Sequence, residues 1–135
     1  MEGKNFVEGT IINGIPLMPI LIRNPYNSKS TVIELLVDSG AQHTVISKKV
    51  LYDTLKFKQD DRIGDRLIQG IIPKKECIAY CPEFLVDLLI SQRWLKQIGV
   101  IAFDTSDQGI LGKNVLQFFN LELNYLKNAV NFKRE

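Results

Sequence analysis

One carboxylic acid in this sequence stands where an acid is costly. Asp38 closes the apolar run Leu35-Leu36-Val37 and is followed by Ser39, Gly40 and Ala41. A carboxylate at the end of a buried strand needs a partner or a hydrogen bond. Ser39 offers a hydroxyl, and Gly40 permits tight backbone geometry and close approach by a ligand. The chemistry open to such a group is proton transfer. The same residues also make an ordinary turn after a strand, so their surroundings decide between the two readings. Cys77 and Cys81 invite a metal or redox reading instead. A tetrahedral zinc site would need two more nitrogen or sulfur ligands, and His43 is the chain's only histidine. On a strand the two cysteine Cβ atoms would share a face about 13 Å apart, beyond disulfide reach. They read as reduced thiols half-buried in a strand, and no metal or other cofactor is expected.

Short β-leaning segments surround Asp38. Gly9 to Ile12 runs into Asn13-Gly14, a hairpin-type turn pair. Leu17 to Ile22 is a second apolar run, closed by the turn cluster Asn24 to Ser28. Thr31 to Val37 is β-branched and apolar, as a buried strand is, and Thr44-Val45-Ile46 is a further strand piece. Ser47 is placed to cap a short amphipathic helix bearing Val50, Leu51 and Leu55. Lys56 to Arg66 is polar and reads as a loop or strand edge, and Glu76 to Ile90 reads as extended. Val100 to Phe103 is a short strand, and Lys113 to Phe119 a helix. Leu121 to Tyr125 and Ala129 to Phe132 form a closing hairpin around Leu126-Lys127-Asn128. Many short strands with frequent turns predict a barrel or a closed sheet.

Two motifs carry a family resemblance. Leu36-Val37-Asp38-Ser39-Gly40-Ala41 is followed closely by Thr44-Val45-Ile46, and much later by Ile110-Leu111-Gly112-Lys113-Asn114 ahead of Val115 to Phe119. In this order the pair resembles the retropepsin-like aspartic proteases, the retroviral proteases and their cellular and bacterial relatives, over most of the chain. The resemblance implies a mostly β fold, a closed acid-protease barrel of the retropepsin type with a flap hairpin and one or two short helices. It implies that Asp38 is the catalytic carboxylate. Ser39 would hydrogen-bond across to its symmetry mate in the fireman's grip, and Gly40 would offer its carbonyl to substrate.

Aspartic proteolysis needs two carboxylates about 3 Å apart that share one proton. This chain has one Asp-Ser-Gly. Asp104-Thr105-Ser106 lacks the glycine, and Asp60 and Asp61 fall in a charged loop. The second carboxylate must come from a second chain, most simply across a twofold axis. The expected partners are a second copy of the chain and a peptide or protein substrate. The resemblance also places Ala41, Gln42, Val45 and Ile110 along a substrate cleft, with core packing the alternative for each. It places a flap over Ile63 to Ala79, with Gln69, Gly70 and Ile71 at the tip. Two departures stand out. The flap holds Gly70 and, further back, Gly64, where retroviral flaps carry several glycines, and Pro73 would stiffen one arm. Gln42 stands where retroviral enzymes usually place an acid that pairs with the basic residue of the later motif, so Lys113 is expected to lack that partner. These departures motivate the alternative, a catalytically inactive dimerisation or peptide-binding module of the same fold. His43 reads as an exposed residue, and Trp94 as a partly buried surface aromatic.

Bulk properties agree with one domain over 1–135 and remove other classes. Hydrophobic residues make up 45% of 135 residues, enough for a single core, and 9 Gly with 5 Pro are too few for a disordered or collagen-like chain. A net charge of +2, with no basic cluster interleaved with aromatics, argues against a nucleic-acid partner. No apolar run approaches the roughly 18 residues of a membrane span. Gly9 to Ile22 is interrupted by Asn13, Gly14, Pro16 and Pro19, and Met1 to Phe6 has no basic region leading into an apolar core. No membrane partner and a cytoplasmic location are expected.

Overall fold

A computed structural model describes residues 8–69, 78–105 and 108–133. The described residues form ten strands in chain order: β1 Gly9–Ile12, β2 Ile15–Arg23, β3 Ser30–Val37, β4 Thr44–Ser47, β5 Gly64–Gln69, β6 Ile78–Ile90, β7 Arg93–Phe103, β8 Gly109–Leu111, β9 Asn120–Asn124 and β10 Ala129–Lys133. One α-helical turn, α1, covers Lys113–Leu116, and wider or tighter helical turns cover Lys49–Thr54 and Gln59–Asp61. The expected mostly β architecture is what forms. Among the described residues no helix is long and apolar enough to cross a membrane.

Local chemistry sets the hairpins. Ile12 pairs with Ile15, so Asn13 and Gly14 alone make the β1–β2 turn, with φ of 53° and 78°. Two successive left-handed residues match the twist of the flanking strands, and Asn-Gly adopts that pair at least cost. The β9–β10 hairpin closes as the sequence predicts, with Asn124 opposite Ala129 and Asn128 at φ 52°. On β3, Ile33, Leu35 and Val37 are buried while Val32 is 63% exposed, so only alternate residues enter the core. Leu51 and Leu55 bury completely in the turn after β4, as the amphipathic pattern requires. That turn is wide, with the Leu55 N–H donating to the Val50 carbonyl. Ser47 stays in β4 but accepts the Lys49 N–H on its hydroxyl at 3.2 Å. The helix expected over Lys113 to Phe119 is shorter than its apolar pattern suggests, ending in turns after Leu116.

Strand pairing closes the sheet on itself. The order is β5-β6-β7-β4-β8-β3-β2-β1-β10-β9, and β6 also pairs with β2. The strands β2, β6, β7, β4, β8 and β3 therefore form a ring, with Leu21–Leu89, Ile22–Leu88 and Arg23–Asp87 as the closing rungs. Its interior is filled by Ile20, Leu35, Phe84, Val86 and Val100, each at most 1% exposed. A smaller cluster, Val45, Cys81 and Ile101 with Phe103 and Ile110 against it, packs separately.

A buried acid fixes the seam. Asp87 is 4% exposed and sits at an irregularity of the β6–β7 register between Val86 and Leu88. Its Oδ2 accepts Arg23 Nη2 at 3.0 Å and Nε at 3.3 Å, and its Oδ1 accepts the Gln97 N–H at 3.0 Å. The Arg23 guanidinium in turn stacks 4.2 Å from the centre of the Trp94 ring. Asp87→Ala strands the Gln97 N–H and leaves Arg23 without its carboxylate. It is expected to cost about 2–4 kcal/mol in urea unfolding, with Asp87→Asn between it and wild type. A loss of a few tenths of a kcal/mol would mean that apolar packing alone holds the seam.

Candidate active site

The position of β8 dictates the shape of the site. It pairs in parallel with β3, through Leu36–Ile110 and Val37–Leu111, and antiparallel with β4, through Val45–Ile110 and Ile46–Gly109. The chain leaving β3 must therefore pass over the end of β8 before it can enter β4. The residues that make this crossing are Asp38 to His43.

Backbone hydrogen bonds tie the crossing down. The Asp38 N–H donates to the Leu111 carbonyl at 3.1 Å, continuing the β3–β8 ladder by one residue. The Ala41 N–H closes a tight turn onto the Asp38 carbonyl at 3.1 Å. The Lys113 N–H donates to the Ala41 carbonyl at 2.8 Å, and the Asn114 N–H to the Gln42 carbonyl at 3.3 Å. Between these contacts lies Gly112, where a Cβ would run into the His43 carbonyl group, 2.5 Å from its carbon. Close approach of two backbones is what requires glycine here.

A side-chain clamp completes the junction. Thr44 is fully buried; its hydroxyl accepts the Gly112 N–H at 3.1 Å and donates to Asn114 Oδ1 at 2.7 Å. Asn114 Nδ2 then donates to the Gly99 carbonyl on β7 at 2.9 Å. Thr44 and Asn114 belong to the two sequence motifs, but their clamping role was not legible there. The available signal was a buried hydroxyl residue and an amide, each just past one of the motif glycines.

Asp38 is half-buried at the head of this turn, and its Oδ1 accepts the Gly40 N–H at 2.9 Å. That bond holds the carboxylate beside its own turn. A Cβ at Gly40 would sit 3.2 Å from the same oxygen. Ser39 and Gln42 are exposed, and Ala41 is half-buried. Ser39, Gln42 and His43 form one side of an open groove of about 630 Å³, and Lys113, Asn114, Leu116, Gln117 and Leu121 form the other. His43 is half-buried rather than exposed. Burial first, and then the nearby Arg66 charge, pull its pKa below the usual histidine value, with Glu83 opposing.

The remaining sequence-predicted positions divide. Val45 and Ile110 face each other across β4 and β8 in the small apolar cluster, Val45 at 3% exposure and Ile110 half-buried. Cys81 is a buried free thiol in that cluster, its pKa raised by burial. Cys77 lies outside the described residues. Strands β5 and β6 form antiparallel arms from Gly64–Glu83 to Gln69–Ile78; the β5 arm lies within the segment read as a flap, and the β6 arm runs past its Ala79 end. Gln69 ends the first arm, and Gly70 and Ile71 lie outside the described residues. Arg66 and Glu83 join the two arms at 3.0 Å. Among the described residues no cluster of His, Cys, Asp and Glu could hold a metal ion.

No family model matches the chain, and no curated protein matches it in sequence. Comparison with solved structures is informative. The crystal structure of a retropepsin-like aspartic protease from Rickettsia conorii matches over 93% of this chain and 88% of that one, with a TM-score of 0.66 at 15% sequence identity. The chain with its β8-spanning turn at Asp38 has the retropepsin-like aspartic protease fold.

Proposed function

We propose that this chain is one half of an aspartic endopeptidase, a single domain that gains a complete site by pairing with a second copy. The observation that carries the reading is the placing of Asp38. The Asp38 carboxylate stands at the end of a buried strand in a retropepsin-type fold, in a turn fixed by the C-terminal end of β8 and the N-terminal end of α1. Ser39 beside it is exposed, and its hydroxyl has no hydrogen-bond partner among the described residues, as a group waiting for a symmetry mate would be.

Two Asp38 carboxyls brought within hydrogen-bonding distance cannot both ionise, so the pair holds one proton. The ionised member takes a proton from a bound water, which attacks the scissile carbonyl. The protonated member donates a hydrogen bond to the carbonyl oxygen as charge builds there. Ser39 steadies each carboxylate from across the axis, and the Gly40 carbonyl holds the peptide backbone. In this reading Ala41, Gln42, Val45 and Ile110 border the cleft, and the β5–β6 hairpin is the arm that covers it.

The test is cleavage of a peptide library between about pH 3 and 7, read against protein concentration and solution mass. The specific rate should rise with concentration in step with the dimer fraction and then level off. A monomer that cleaves at a constant specific rate, or a dimer that cleaves nothing in this window, overturns the reading. The second outcome would favour the peptide-binding module.

A further inference from the structure

The groove beside Asp38 has a charge character that the proposed reaction leaves unused. Among the described residues no Asp or Glu lines it. Some of its polar groups are already committed: Asn114 serves the clamp, and Gln117 Nε2 donates to the Asn114 carbonyl at 3.2 Å. Lys113 and Gln42 are different. Both are exposed, and neither side chain takes part in the hydrogen bonds or ion pairs among the described residues. They are also held side by side, because the Lys113 and Asn114 N–H groups bond the Ala41 and Gln42 carbonyls. The acid closest to His43 in its electrostatics, Glu83, is paired with Arg66 at 3.0 Å. The groove thus presents a cation and an amide with no carboxylate among its described lining residues to answer them.

We infer that this groove is a subsite for an acidic side chain of the bound peptide, with Lys113 as its counter-charge and Gln42 as an amide donor. The inference rests on the reading of the chain as a dimeric peptidase and names part of its substrate class. An ion pair at a partly exposed site is worth up to about 1 kcal/mol, which is a preference of about threefold to fivefold for Glu over Gln. Salt should weaken it.

The experiment uses peptides that differ at one position, carrying Glu, Gln or Lys in turn at each residue flanking the scissile bond. The ratio of kcat/KM for Glu over Gln is measured for the wild type, Lys113→Gln and Lys113→Glu at low salt. At one flanking position the ratio should be about threefold to fivefold in the wild type, near one in Lys113→Gln, and below one in Lys113→Glu, where the Lys peptide should become the preferred one. A wild-type ratio of one at every position, or a ratio indifferent to both substitutions, overturns the subsite. Either result is what a groove covered by the second copy would give. If the wild type cleaves none of the peptides, the peptidase reading fails separately, and binding of the same peptides to the full chain by fluorescence anisotropy decides. Preference for the Glu peptide that disappears in Lys113→Glu keeps the subsite; equal binding or none removes it.

Discussion

Asp38→Asn is expected to lower peptide cleavage by about 10³-fold or more at equal protein concentration. The amide keeps the size of the side chain, and its Oδ1 can still accept the Gly40 N–H that the carboxylate accepts at 2.9 Å. The backbone bonds from Asp38 to Leu111 and from Ala41 to Asp38 do not involve the side chain at all. The variant should therefore unfold at the same urea concentration as the wild type while losing the group proposed to take the proton. Mixing gives a sharper result. When wild type and Asp38→Asn are combined one to one at constant total protein and allowed to exchange, random pairing leaves about one quarter of the chains' dimers wholly wild type. Activity near one quarter of the wild-type value means that both carboxylates are needed. Activity near one half means that each chain works alone, and the two-carboxylate mechanism is then wrong.

Gly112→Ala should be among the most damaging single methyl groups in the molecule, and the one that bears directly on the Asp38 turn. A Cβ there meets the His43 carbonyl carbon at 2.5 Å, and the Ala41 carbonyl oxygen at 3.0 Å. Neither neighbour is the flexible end of a side chain; both are backbone of the turn that carries Asp38. Relief requires the turn to lift from β8, which breaks the bonds from Lys113 to Ala41 and from Asn114 to Gln42 and strands the Thr44 hydroxyl. A loss of about 4 kcal/mol is expected in urea unfolding, at the severe end for point substitutions. Whatever fraction remains folded should cleave poorly, because the carboxylate has moved. Gly14→Ala is the control: its φ of +78° also suits glycine, but a Cβ there meets nothing within 4 Å, so it should lose about 1 kcal/mol and keep its activity. If Gly112→Ala behaves like Gly14→Ala, the crossing over β8 is not what positions Asp38.

Much of this arrangement is visible in the sequence, and the boundary of what is visible has physical causes. Asn13-Gly14 announces its hairpin because two left-handed residues in succession have few other uses. The strand ending at Val37 is legible because Thr31 to Val37 is β-branched and apolar. Strand β7 is less so. Only Val100 to Phe103 reads as a strand, whereas the strand starts at Arg93. Arg93 to Gly99 alternates poorly, since Trp94 and Lys96 lie on a surface where the Arg23 guanidinium covers the indole ring. The start of β5 hides for a similar reason: Asp65 and Arg66 are exposed, and Arg66 is fixed to Glu83 on the neighbouring strand, a pairing that local pattern cannot report. Asp87 is the clearest case. An acid in a run of apolar residues reads as an outward-facing strand position, yet it is buried and serves partners from β2 and β7 that are distant in the chain. At the site the residue types were legible and the clamp was not, because Thr44 and Asn114 meet only after β8 has entered between two earlier strands.

That entry of β8 also sets a schedule. Synthesis delivers β3, the Asp38 turn and β4 early, but every backbone group that holds the turn in place across the gap comes from Leu111 to Asn114. A nascent chain that stops before Gly109 carries the aspartate without the bonds that aim it. Connectivity alone thus withholds the geometry of the Asp38 turn until β8 and the first residues of α1 have been made.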